Sequence, residues 1–406
     1  MSTMFSRIRS FLSRHKRKFL IGGAVVGGVA LLSRYAEYKL LQWHEQQTRT
    51  MLEKQKKHHH YENTQRTANA TVMSLAGSMR EVVCRELDTD ALLQAVRDQP
   101  EHKLAIWEQL KIVGFSRAIS VVYISSLVAS AIRVQLMILG GYTYGDLIQS
   151  GHAGIPVSQA LQQKYLAAVH YLVEEGVPRL AHHVTRAVTR IVTGLPLTRS
   201  LTLSQLEAIY QEVRLSLAGE SGSTDTTLEG TSCKLDQWSK YVLKPPVAPE
   251  EDGEERVLYN MLIETSDVID SEDFNIVVDT LIQHGFNHLL DRVADFYPMS
   301  KSDFPNFGSE NWVDNISRDS TTGVASNGER NDASRNFVAQ NISILNDSVL
   351  PVAKLVPVFS GLVHAALSPA PGQLLQKILI DSKLDTLGAN VYEAFAVPLG
   401  QGREER

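Results

Sequence analysis

Apolar positions recur along this chain at helical spacing and almost nowhere alternate with the period of two that a half-buried strand requires. Residues 34–60 are polar, rich in Gln and Lys and free of Gly and Pro; they read as an exposed helix ending near His58, His59 and His60. Over residues 70–97, Val72, Leu75, Met79, Val82, Val83, Leu87 and Leu92 trace a helical face. Residues 104–139 predict one long helix or two abutting ones, closed by Gly140 and Gly141, because glycine commonly ends helices in the left-handed conformation. Residues 158–194 are helical, with Leu161, Tyr165, Ala168, Leu172 and Val173 on a face, and 201–217 follow a Ser/Thr-rich turn. Further helices are expected at 258–271, 274–297, about 349–367 and 371–396. The polar stretches 219–255 and 299–335 read as flexible loops, the second as disordered for want of apolar residues to bury. The pattern is that of an all-α protein.

Two apolar runs qualify the picture. Residues 19–33 are uncharged and follow Arg7, Arg9, Arg14, Lys16, Arg17 and Lys18, with no acidic residue among them. Such a run extends about 22 Å as a helix, against a hydrocarbon core of about 30 Å. Lys18 and Arg34 can snorkel, and Tyr35, Tyr38 and Trp43 suit a membrane interface. A secretory signal has a run of similar length, but no small-x-small cleavage site follows Leu32. The expected organisation is a basic targeting segment (1–18), a transmembrane anchor (19–38), a polar stalk (39–60) and one large helical-bundle domain facing the cytosol (61–398). The second run, 118–132, is either a buried core helix or a second span. Arg133 would cost about 2.5–3.5 kcal/mol at mid-membrane, Ser120, Ser125, Ser126 and Ser130 dilute the run, and the centre of a bundle also requires a helix apolar all round.

Charge sharpens the division. Residues 1–60 hold 12 Lys/Arg and 3 Asp/Glu, so in a chain of net charge −5 the remainder carries −14. A basic foot on an acidic body suits an anionic membrane surface and argues against nucleic acid, which would want its basic face on the folded domain. Cys84 and Cys233 have no Cys or His partner at metal-ligand spacing, which fits a reducing compartment and no metal site. His44 and Glu45 begin like H-E-x-x-H, but Thr48 stands where the second histidine belongs. No Walker loop or dinucleotide glycine pattern occurs, and Gly219-Glu220-Ser221-Gly222 lacks the strand–turn–helix setting of a nucleophile elbow. No enzyme chemistry and no cofactor are expected. The suggestive constellation is instead interactive: Leu104, Trp107, Leu110 and Lys111 fall at i, i+3, i+6 and i+7 just after Pro100. Trp107 is then either a core residue or the floor of a groove for an amphipathic partner helix.

Several blocks in order carry a resemblance: Asn63-Thr64-Gln65-Arg66-Thr67-Ala68-Asn69, Lys103-Leu104-x-Ile106-Trp107-Glu108-x-Leu110-Lys111, Arg133-Val134-Gln135-Leu136-x-Ile138-x-Gly140-Gly141-Tyr142, Leu350-Pro351-Val352-Ala353-Lys354 and Asn390-Val391-Tyr392-Glu393-Ala394-Phe395. With the basic, Gly-rich N-terminus, the chain resembles the peroxin-3 family over nearly its whole length. The resemblance implies a single-pass peroxisomal membrane protein, or one at the ER during biogenesis, with a non-enzymatic helical domain in the cytosol. That domain would dock peroxin-19, the chaperone of newly made peroxisomal membrane proteins, through its amphipathic N-terminal helix. By position, Trp107 and Leu110 would form the apolar floor, Lys103 and Lys354 the flanking cations, and Leu104, Val96 and Thr143 further partner-binding positions, while Arg14, Lys16, Arg17 and Lys18 would serve targeting beside peroxisomal lipid. Organelle-inheritance and pexophagy factors are further partners the resemblance leaves open. A helical tether on the ER or the mitochondrial outer membrane shares the composition but lacks the groove. The positive-inside rule would translocate the domain; the family topology is the reverse, with the short N-terminus inside the organelle.

Overall fold

The computed structural model describes residues 16–148, 157–219, 237–250, 253–297, 348–368, 370 and 372–396, with side chains from Arg34 on except those of Ala36 and Pro100. Arg14, the 299–335 segment and nearly all of the 219–232 loop lie outside the described residues, as do the side chains of Lys16, Arg17, Lys18 and the 19–33 run. The chain divides into two compact units, 1–62 and 63–406. Helix α1, Lys16–Glu86, has residues in both. In the first unit its described side chains are mostly exposed, among them Tyr35, Tyr38, Leu40, Leu41 and Trp43, and Arg49 bonds Glu45 one turn away at 2.7 Å. The helix does not end near His58–His60, because that stretch contains no breaker and its polar side chains need no burial to stay helical.

The second unit is built around one helix. After α1, a break at Asp88 starts α2, Thr89–Asp98, and a single 3₁₀ turn, Pro100–His102, leads into α3, Lys103–Ile148. The continuous helix expected over 70–97 is thus two, because the Asp88 carboxylate accepts from the amides of Asp90 and Ala91 at 2.9 and 3.0 Å and caps a new helix. At the helical rise α3 is about 69 Å long. Its 118–132 run is covered by protein all round, which gives it the role of core helix rather than second span.

Around α3 stand α4 (Gln159–Leu166), α5 (Ala168–Tyr171), a π turn (Leu172–Gly176), α6 (Val177–Val192), α7 (Leu203–Ala218), α8 (Ser239–Val242), α9 (Glu254–Ile269), α10 (Glu272–Ala294), α11 (Val352–Ala366), α12 (Leu374–Leu379) and α13 (Ser382–Phe395). Of these α6, α9, α10, α11, α12 and α13 pack on α3 directly, as does α2. Among the described residues the strands are two short ones: β1, Ser200–Leu201, pairs antiparallel with β2, Leu350–Pro351, with Ser200 opposite Pro351 and Leu201 opposite Leu350.

Gly140 and Gly141 do not close α3, which runs on to Ile148. They are there for close packing. A Cβ on Gly140 would lie 2.8 Å from Thr64 of α1, and one on Gly141 would lie 2.6 Å from Cβ of Phe395 at the end of α13. Arg133 is fully buried and held through its two terminal nitrogens: Nη1 donates to Asp385 at 2.9 Å, and Nη2 donates to Asn69 Oδ1 at 2.6 Å and to the Leu379 carbonyl at 3.4 Å. Gln65 joins the same carboxylate at 2.7 Å, so one buried guanidinium ties α1, α12 and α13 to α3.

Candidate functional site

At the Lys103 end of α3 a cleft of about 260 Å³ opens between three helices. Helix α2 supplies Thr89, Asp90 and Leu93; α3 supplies Trp107, Leu110 and Arg117; α11 supplies Val356, Pro357, Ser360, Gly361 and His364. The local sequence explains each wall. In α2 only Thr89 is buried, so Leu93 stays 40% exposed on a short amphipathic helix. On α3, Gly114 lets α11 approach: a Cβ there would stand 3.3 Å from the Val356 carbonyl. Phe115 meets Phe359 edge to face at 4.6 Å between centroids, which sets the two helices against each other below the cleft. Pro357 lies inside α11 and adds apolar surface without a backbone donor. A Cβ added to Gly361 would meet nothing within 4 Å, so the cleft is open at that point.

Arg117, nearly fully buried, closes the far end. Its guanidinium donates to Thr89 Oγ1 at 2.7 Å, the Ser360 carbonyl at 3.4 Å and the Cys84 carbonyl at 3.3 Å, binding α1, α2 and α11 together. Burial pushes the Cys84 thiol up from its ordinary range, against the smaller pull of Arg117 and Arg80, so it is poorly suited to be a nucleophile. Among the described residues no group of three His, Cys, Asp or Glu side chains could hold a metal ion. The cleft offers apolar surface from Leu93, Trp107, Leu110, Val356 and Pro357 beside the charged Asp90 and Arg117, an arrangement suited to binding.

The site residues expected from the sequence divide unequally. Trp107, half-buried, and Leu110, 2% exposed, line the cleft. Lys103 and Leu104 lie one turn before Trp107 on α3, both exposed, Leu104 by 74%. Lys354 is exposed one turn before Pro357 on α11, and Val96 is half-buried one turn after Leu93 on α2. Thr143 does not belong with them. It lies on α3 about 54 Å along the helix from Trp107 at the helical rise, and its hydroxyl is turned back onto the Leu139 and Gly140 carbonyls at 3.0 and 3.1 Å. Leu93, Arg117, Pro357, Gly361 and His364 were not expected. The face running Lys354, Pro357, Gly361 and His364 at helical spacing was a signal that could have found three of them.

The comparisons with known proteins agree with one another. The profile of the Peroxin-3 family matches residues 10–105 and 152–394, more than half of the chain. The chain is 30% identical over 400 residues to "Peroxisomal biogenesis factor 3" of Bos taurus, covering 97% of this chain and 99% of that protein. It is 29% identical over 400 residues to the Homo sapiens protein of the same name, with the same coverage. It is 24% identical over 305 residues to "Peroxisome biogenesis protein 3-1" of Arabidopsis thaliana, covering 67% of this chain and 79% of that protein. The profile skips 106–151, the stretch that holds Trp107, whereas the mammalian alignments leave out too little of the chain to skip it whole.

Proposed function

The chain belongs to the Peroxin-3 family of peroxisome biogenesis factors, and on that premise we propose that it is a membrane-anchored docking receptor for peroxin-19. In this reading the amphipathic N-terminal helix of peroxin-19 lies in the cleft between α2, α3 and α11. The 19–38 run anchors the chain in the peroxisomal membrane, its bulk faces the cytosol, and the docked chaperone releases new membrane proteins there. The protein acts by binding and performs no catalysis.

One observation supports this most. Trp107 is only half-buried at an open cleft, with Leu93 and Leu104 exposed beside it. Large apolar side chains at a concave, rigidly framed surface suit the apolar stripe of a partner helix. Lys103 and Lys354, one turn outside the lining, suit acidic groups on such a helix and would speed encounter more than they deepen affinity.

The test is a titration of the full-length chain, purified in detergent, with a labelled synthetic peptide of the peroxin-19 N-terminal helix. Saturable binding that Trp107→Ala strongly weakens is expected. No binding, or binding indifferent to Trp107, would leave the tether reading in its place.

A further inference from the structure

Lys111 has no exposed surface, although lysine is among the costliest side chains to bury. Its ammonium is paired twice, 2.5 Å from the Leu195 carbonyl and 2.5 Å from the Glu108 carboxylate. An apolar residue of similar size would fill the same space without that desolvation. The geometry points to a role beyond packing.

Leu195 opens the segment that holds the start of α11. Two residues on, the Leu197 carbonyl accepts from Ala353 N at 3.1 Å, and the Arg199 carbonyl accepts from Val352 N at 2.9 Å. Ser200 and Leu201 then pair with Pro351 and Leu350. These bonds fix the first turn of α11, just before Val356 and Pro357 enter the cleft wall. On the other side, Lys111 lies one turn after Trp107 on α3. One buried ammonium on the Trp107 helix thus holds Leu195, and the backbone that follows Leu195 holds the start of the Pro357 helix by hydrogen bonds from Leu197 and Arg199. The same ammonium pairs with Glu108, the residue that follows Trp107 in the chain.

We propose that Lys111 is the positioning residue of the cleft, setting the separation of its α3 and α11 walls and neutralising Glu108 beside Trp107. The inference rests on the docking reading above.

The experiment uses the full-length chain in detergent and the labelled peroxin-19 peptide, with dissociation constants read by anisotropy well below the melting transition. Lys111→Met removes donor and charge; Lys111→Gln keeps a donor for Leu195 without the charge; Glu108→Gln releases the other half of the pair. Lys111→Met should weaken binding about tenfold, the scale of coupling between groups in contact, with Lys111→Gln intermediate. If Lys111→Met fails to fold, Lys111→Gln and Glu108→Gln carry the same test, each weakening binding. A residue that merely stabilises the fold would lower the melting temperature and leave the affinity of the folded protein alone. A double-mutant cycle with Trp107→Phe adds the decisive readout: the Lys111 loss should shrink when Trp107→Phe is already present, because both act through one wall. Wild-type affinity in folded Lys111 variants, or losses that add fully to that of Trp107→Phe, would overturn the proposal. Were the wild-type chain not to bind the peptide at all, the docking reading itself would fall, a different and separately visible result.

Discussion

Trp107 and Leu110 stand one turn apart on the same helix, yet their exposures predict opposite phenotypes. Leu110 is 2% exposed, and truncating it to Ala should cost about 2–5 kcal/mol of stability, the range for buried leucines. Trp107 is half-buried at the cleft, so Trp107→Ala should leave the melting temperature nearly unchanged while peptide affinity falls by about 2 kcal/mol or more, as at an interface hot spot. Thermal melts and titrations on both variants decide the matter; a large stability loss for Trp107→Ala with affinity intact would make it a core residue. Lys103→Glu should weaken binding less, and the effect should fade with salt, since the Debye length shrinks from about 10 Å at 0.1 M to about 3 Å at 1 M. A salt-independent loss would mean that Lys103 is not a rim charge.

Glycines separate packing from flexibility at the level of helices. In α11, Gly361 faces open cleft, so Gly361→Leu should fold normally, gain up to about 1 kcal/mol of helix propensity and fill the groove. Peptide binding should vanish while the melt holds or rises; undiminished affinity would show that the partner lies elsewhere. In α3, Gly141→Ala would drive a methyl to 2.6 Å from Cβ and 2.7 Å from the backbone carbon of Phe395, which cannot swing aside. That overpacking should cost about 1–3 kcal/mol. Gly77→Ala in α1 meets nothing within 4 Å and should instead stabilise by up to about 1 kcal/mol. Calorimetry on the pair checks the contrast; a Gly141→Ala variant as stable as the parent chain would mean that α3 and α13 pack less closely there.

For the molecule as a whole, the division at 62/63 predicts separable tasks. A chain lacking residues 1–40 should keep its helical circular dichroism and bind the peptide, yet no longer reach peroxisomes in cells. Reversing Lys16, Arg17 and Lys18 to Glu should misroute the full-length protein with little change in stability, since the folded unit begins far along the chain. Peroxisomal localisation of that triple variant would count against a targeting role for the cluster. Aggregation of the truncated chain would mean that the first unit contributes to the fold.

Much of this protein is legible in its residue order because helices are local. The spacing of Val72, Met79 and Val83, or the Thr202 and Gln205 capping box that starts α7, needs only neighbours within a turn or two. The all-α class and the helical stretches along the chain follow from such patterns, and so does the candidacy of Trp107. What the sequence alone left open are quantities set by contacts between distant segments. Whether 118–132 met lipid or protein depended on seven helices gathering round α3, and whether Arg133 was tolerable depended on Asn69, Leu379 and Asp385 arriving beside it. Gly140 and Gly141 look like a helix stop until Thr64 and Phe395 are placed against them. The resemblance groups Thr143 with Trp107, and one unbroken helix sets them apart. The cleft is likewise a tertiary object: two walls come from the consecutive helices α2 and α3 and the third from α11, more than two hundred residues further on, and the strand pair that fixes α11 is too short to leave a periodic trace. Periodicity is enforced by the backbone within a few residues and is written locally, whereas exposure, close approach and wall spacing are decided only when remote surfaces meet.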